Sequence, residues 1–321
     1  MCYSDNSPEV DQGDSEARGK QLGQVVVSNT QPVKSQEEMN SEYLNAAQRG
    51  DLETVLTLLN SGAGILCKDR WGDSALHRAA EKGCDEVVKT LLDQGLDINT
   101  RGDYDRTPLM HAAFHGQEST VNILLQAGAD ITCRDEDGDN ALHAAAWEGR
   151  DTIVKILLDL GLDINSRGDY DRTPLMHAAF HSHESTVNIL LEAGADITCR
   201  AKSGNNALHK AAERGQDTIV KILLNQGLDV NTRDSEDRTP LMIAAEVAQG
   251  ATVKLLDKGA RLELKNSEGK SGLQIILEKQ LIGQREDILD SMMKHLKEGY
   301  DEAKEQNTIK QKIKEMISSS I

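Results

Sequence analysis

A chain of 321 residues is long enough for two ordinary domains, but its net charge of −17, from 53 acidic and 36 basic residues, argues against a nucleic-acid or anionic-membrane partner. No run of about 18 apolar residues is present, and the start, MCYSDNSPEV, lacks the basic and apolar regions of a secretory signal. The expectation is a cytoplasmic protein, with the nucleus also open to it.

Residues 1–39 are rich in Asp, Glu, Ser, Gln and Gly, with Val25, Val26 and Val27 as their only apolar cluster. Such a segment buries too little surface to offset its chain entropy, so a disordered N-terminal tail is expected. From residue 40 the chain becomes periodic. Alanine pairs fall at 46–47, 79–80, 112–113, 145–146, 178–179, 211–212 and 244–245, a constant step of 33. Leucine pairs follow twelve residues later, except that Leu255–Leu256 comes one residue early. The stretch 103–135 returns at 169–201 with four differences, so units opening A-L-H alternate with units opening T-P-L-M-H, and the duplicated block is 66 residues long.

Each unit reads as two short helices. Ser74, Thr107, Asn140, Thr173, Asn206 or Thr239 opens the first, because these side chains accept a hydrogen bond from the free N–H groups of a first turn. Pro108, Pro174 and Pro240 follow at the first helical position, where no N–H is needed. Helices of about ten residues are marginal alone, so stacking must stabilise them: methyl groups let neighbouring backbones approach while leucine pairs fill the layer. After Glu268 the pattern changes, with Ile276 and Leu277 where an alanine pair would stand and an amphipathic stripe at Ile288, Leu289, Met292, Met293 and Leu296. Residues 267–299 therefore read as a degenerate C-terminal capping repeat, and 300–321 as a helical or flexible tail.

T-P-L-M-H-A-A at 107–113 and 173–179, A-L-H-x-A-A at 75–80, 141–146 and 207–212, and L-L-x-x-G-x-D-[IV] closing most units resemble the ankyrin repeat over about residues 40–290. The resemblance implies an all-α repeat solenoid of about seven ankyrin repeats over 40–266, with β-hairpin loops between helix pairs and a C-terminal helical cap. It also implies a non-enzymatic scaffold that binds a partner protein along its concave face. The alternative is a regulatory adaptor, a transcription-factor inhibitor or ubiquitin-ligase substrate receptor, that recruits machinery through its tails. Ser182 and Ala248 depart from the pattern, standing where glycine is usual, and Met110, Met176 and Met242 replace the motif histidine.

No chemistry competes with this reading. His111 with His115, and His177 with His181 beside His183, have the i,i+4 spacing of two zinc ligands but no reliable third, so no metal site is expected and a solvated helix face is. His77, His143 and His209 are expected to tie adjacent loops, as the resemblance implies. Gly269-Lys270-Ser271 lacks the earlier glycine of a phosphate loop, since Leu264 stands there. Cys67, Cys133 and Cys199 share one repeat position and lie roughly 20 Å apart if helices stack about 10 Å apart, too far for a disulfide. No cofactor is expected, and a monomer is.

The nine aromatic residues are informative. Tyr3 and Tyr300 lie in the tails and Tyr43 replaces a core leucine, but the other six occupy two repeat positions: Trp71, Tyr104 and Tyr170 in hairpin tips, and Phe114, Trp147 and Phe180 late in the first helix. The resemblance places both positions on the concave face. With Arg70, Arg106, Arg172 and Arg214 beside them they form a candidate protein-binding stripe, because exposed rings and arginines concentrate in binding hot spots. The competing reading is that Phe114, Trp147 and Phe180 fold back onto the next unit's first helix. Asn99, Asn165 and Asn231, in Leu-Asp-[Ile/Val]-Asn loops, are candidates for asparaginyl hydroxylation by the same resemblance, against a structural role in the loop.

Overall fold

A computed structural model of the chain describes residues 34–247 and 251–279. Residues 1–33 of the expected tail, Ala248, the whole stripe assigned to the cap and the segment 300–321 lie outside the described residues. The chain divides into two compact units, 1–35 and 36–321, and the second carries the repeats.

Its helices come in antiparallel pairs: α1 (Gln36–Arg49) with α2 (Leu52–Asn60), α3 (Ala75–Lys82) with α4 (Asp85–Asp93), α5 (Pro108–His115) with α6 (Glu118–Gln126), and α7 (Ala141–Trp147) with α8 (Asp151–Asp159). Next come α9 (Pro174–Phe180) with α10 (Glu184–Glu192), α11 (Ala207–Glu213) with α12 (Asp217–Asn225), α13 (Pro240–Glu246) with α14 (Ala251–Asp257), and then α15 (Gly272–Glu278). First helices stack on first helices along the solenoid, and second helices form the adjacent layer. α1 starts four residues before the expected boundary at residue 40, which places Gln36 to Met39 in a helix.

The core follows the sequence pattern. All fourteen alanines of the seven pairs are fully buried, as are Leu76, Leu91, Leu124, Leu142, Leu157, Leu190, Leu208 and Leu223 between the layers. Full burial of a leucine is worth about 1.5–3 kcal/mol, and each such layer exists only where two units meet, so a single unit cannot hold its own helices. Thr107, Asn140, Thr173, Asn206 and Thr239 accept N–H bonds of the first turns through their side chains, and proline occupies the first turn of α5, α9 and α13. At the far end Ser271 caps α15, with Gln274 Oε1 accepting the Ser271 N–H, and Ile276 is fully buried where an alanine would be.

One local expectation needs correction. The loops between pairs are not β-hairpins with strands: among the described residues only two isolated antiparallel bridges occur, Lys68 with Ser74 and Lys265 with Ser271. One i to i+4 backbone bond closes each tip instead, as in Gly102 N to Arg106 O at 2.9 Å and Asp135 N to Asp139 O at 2.8 Å. Arms that short have no room for a ladder. At Ser182, where glycine is usual, the backbone keeps the left-handed turn at φ +70°, and the hydroxyl donates to Gln216 Oε1 at 2.5 Å. The geometry is thus retained in strained form by a residue with a Cβ.

Candidate functional site

The loop tips are of two kinds. In A-L-H units the turn passes through Gly72, Gly138 or Gly204 at positive φ. In the duplicated T-P-L-M-H units the same work falls to non-glycine residues: Tyr104 and Asp105 have φ +52° and +59°, Tyr170 and Asp171 +48° and +58°. Bulky residues in this region cost of order 1–3 kcal/mol each. The strained turn holds both tyrosines out in water, 52% and 65% exposed, alongside Trp71 at 51%. Arginines lie over all three rings, Arg70 on Trp71 at 3.8 Å, Arg106 on Tyr104 at 5.3 Å and Arg172 on Tyr170 at 5.4 Å. Gly102 and Gly168 open these turns because a Cβ there would run into the Asp73 or Asp139 carboxylate and the His77 or His143 ring of the unit before.

The aromatic residues of the first helices are half-buried. Trp147 leans on the next first helix, its ring 4.2 Å from His181 and 5.1 Å from His177, as the fold-back reading anticipates. Phe180 lies under Arg214 and Lys210 at 4.4 and 5.6 Å, and Phe114 meets His115 at 5.2 Å. The Phe114 and Trp147 rings share a cavity with residues of the loop tips, among them Arg106, Asp135 and Asp169.

Three cavities open along that side. The first, about 670 Å³, lies between α1 and the Trp71 tip. The second, about 300 Å³, lies between α5 and α7, with Phe114 and Trp147 as walls. The third, about 560 Å³, runs from Tyr170 across α11 to α13. Repetition places the same Asp-Tyr-Asp-Arg tip beside the second and third, but the opposing walls differ in charge. Asp135, Asp137 and Asp139 face the second, while Ala201, Ser203 and Asn205 hold those positions in the next block, with Lys202 and Lys210 lining the third.

Electrostatics distinguish the second cavity. Arg106 Nε reaches Asp135 Oδ2 at 3.3 Å and Arg172 reaches Asp169 at 3.2 Å, but among the described residues no Lys or Arg pairs with Asp137 or Asp139. Burial, helped by the charges of Asp135, Asp169 and Asp137 against the bond from Asp169 N, pushes the Asp139 carboxyl up to about 6. The rings beside it are neutral at that pH, because burial holds His143 at about 4 and His177 well below its ordinary value.

The motif histidines are structural, as expected. Ser74 N and Asn140 N donate to Nδ1 of His77 and His143, which leaves the proton on Nε2. Nε2 then donates across the joint, from His77 to Arg106 O at 3.0 Å and from His143 to Ser166 O at 3.0 Å. His111 and His177 pack edge-on against His77 and His143 at 5.3 and 5.9 Å and lie inside the stack, so the expectation of a solvated face fails for them; helical phase alone did not show that this face meets the preceding unit. Asn99 and Asn165 accept the N–H of Asp130 and Asp196 in the next loop, at 2.9 and 2.8 Å, and Asn231 that of Arg261 at 2.8 Å. One set was missed in the sequence: Lys68, Arg101, Arg134, Arg167, Arg200 and Arg233, each donating to the carbonyl 32 or 33 residues on. Their 33-residue step is legible, but a periodic cation on a loop reads as solvated until its partner is seen.

The family model described as ankyrin repeats (3 copies) matches residues 44–135, 127–201 and 198–266. Among solved structures the crystal structure of the human ASB11 ankyrin repeat domain superimposes with a TM-score of 0.61 at 26% identity, covering 68% of this chain and 98% of that one. A search of curated proteins returned no match.

Proposed function

The chain belongs to the ankyrin-repeat family, whose repeats generally act as protein–protein interaction modules, and from that premise we propose that it binds a partner protein along the row of loop tips and first helices that carries the three cavities. The binding residues in this reading are Arg70, Trp71, Tyr104, Arg106, Phe114, Trp147, Tyr170, Arg172, Phe180 and Arg214. The observation that carries it is the repeated strain at Tyr104 and Tyr170. A turn that glycine would form without cost is built twice from tyrosine, and the result is a ring exposed on one face under an arginine. The turn also offers the Tyr104 and Tyr170 carbonyls to the next loop, but neither bond needs a ring, and a strained residue whose ring is left in water fits a role in recognition.

The test is the double substitution Tyr104→Gly with Tyr170→Gly. Relief of positive φ raises the melting temperature, or leaves it unchanged, while proteins captured by the parent chain from cell extract are lost. Equal capture by both chains overturns the assignment.

A further inference from the structure

The second cavity has a chemical preference of its own. Four carboxylates, Asp135, Asp137, Asp139 and Asp169, line it against the single guanidinium of Arg106, and two aromatic rings wall it. Asp139 already accepts the Asp169 N–H at 3.0 Å through Oδ1. The His177 ring, 2% exposed, directs Nε2 at the same carboxylate from 4.0 Å, beyond hydrogen-bond reach, and that nitrogen has no other protein partner. His143 Nε2 stands at 3.9 Å, committed to the loop carbonyls. A largely buried carboxylate that lacks both a counter-ion and a full set of donors is an energetic deficit, and a cation arriving from outside would remove it. The cavity, of about 300 Å³, has room for the methylene stem of a long side chain, and the Phe114 and Trp147 rings suit both that stem and a cation near their faces.

We propose that this cavity receives one arginine or lysine side chain of an extended partner segment, its stem between Phe114 and Trp147 and its cationic head at Asp137 and Asp139. The proposal rests on the reading that this face binds protein, and deepens it by naming what is recognised. It also gives the duplication a meaning. The second Asp-Tyr-Asp-Arg tip is not a second copy of this site, because Ala201, Ser203 and Asn205 stand where the three aspartates do, and of the carboxylates that line the third cavity Glu213 is already paired with Lys210. The partner therefore needs one basic anchor here and no matching 66-residue repeat.

The test is a selection of random twelve-residue peptides displayed on phage against the immobilised full chain, followed by fluorescence-anisotropy titration of the enriched peptides. The expected result is a single enriched Arg or Lys position. Replacing that position by norleucine, or using the Asp137→Asn, Asp139→Asn chain, weakens binding about tenfold or more. Asn keeps an oxygen for the Asp169 N–H, and Asp137→Asn alone, at an exposed position, controls for any loss of folding. Lys155→Glu, exposed on α8 in the second-helix layer and away from the loop tips, leaves the affinity within about twofold. Enrichment of acidic or apolar peptides, or affinities indifferent to the two aspartates, overturns the cationic guest while leaving the face as a protein site. Failure to enrich any peptide that competes at the Tyr104 tip counts against both.

Discussion

Two kinds of joint alternate along the solenoid. Where an A-L-H unit meets the T-P-L unit after it, polar ties cross in every layer. The histidine reaches the next loop, Asp73 and Asp139 accept loop N–H groups, and Asp85 and Asp151 accept the hydroxyls of Thr120 and Thr186 at 2.5 Å. Where a T-P-L unit meets the next A-L-H unit, Met110 stands in the histidine's place. Its sulfur still takes the Thr107 N–H at 3.5 Å, but it has no proton to send forward. That joint keeps the arginine ladder, Arg106 with Asp135, Arg150 with the Phe114 carbonyl and one bond from Glu136 N to Tyr104 O. The second cavity opens there, between α5 and α7. The 66-residue block is thus a physical unit, bonded within and more open at its edges, and the second cavity lies at such an edge.

Acid should break the comparison most strongly. Burial lowers His111, His143 and His209 to about 4, His77 to below its ordinary value and His177 well below it. All five belong to joints of the first kind. Below pH 6.5 the unfolded chain takes up protons that the folded chain refuses, so stability falls as pH drops from about 6.5 to about 4, by on the order of 3 kcal/mol for each of the three most clearly shifted rings. Asp139, raised by burial to about 6, acts in the opposite sense between about 4 and 6, as do the less buried Asp169 and Glu246, also raised by burial, against the five more deeply buried histidines. The melting temperature is expected to fall steeply over that range, with amide exchange opening first at the histidine joints. A flat profile would show that the joints do not differ in this way.

A substitution can convert one joint into the other. His143→Met keeps a first-turn acceptor but removes the donor to the Ser166 carbonyl and the second donor to the Arg172 carbonyl, which keeps its bond from Gly168 N, and a loss of about 1–3 kcal/mol in urea unfolding is expected. The ladder offers a finer comparison, since Arg101 spans a joint of the second kind and Arg134 one of the first. Alanine at either position costs about 0.5–1.5 kcal/mol, and the loss should be larger at Arg101, where fewer bonds remain; the reverse order would sink the distinction. The smallest effect runs the other way. Met176→His supplies a forward donor at an open joint and is expected to add up to about 1 kcal/mol, read as a raised denaturation midpoint.

The histidine joints weaken toward the C-terminal end. Asn205 and Asp217, at the positions of Asp139 and Asp151, each have a buried Oδ1 without a protein partner. His209 still reaches Arg238 O, at 3.3 Å. The last such joint keeps its histidine while losing ties that the first two retain.

Much of this was determined by the sequence alone. The 33-residue step, the alanine and leucine pairs, the capping residues and the alternation of A-L-H with T-P-L-M-H specify helix pairs, their stacking layer and the 66-residue block, because each is a local or periodic signal that one chain position carries by itself. The six aromatic positions were legible for the same reason. What only the tertiary structure decided depends on residues about 33 apart meeting across a joint. Tyr104 and Tyr170 turned out to be strained and outward, Trp147 to rest on His177 and His181, and His111 to be buried against His77. The charge of a cavity is set by the wall the next unit brings to it, so two nearly identical tips face three aspartates in one place and alanine, serine and asparagine at those positions in the other. Identity along the chain did not carry over to identity of environment, because in a stack each unit's surroundings are supplied by its neighbours.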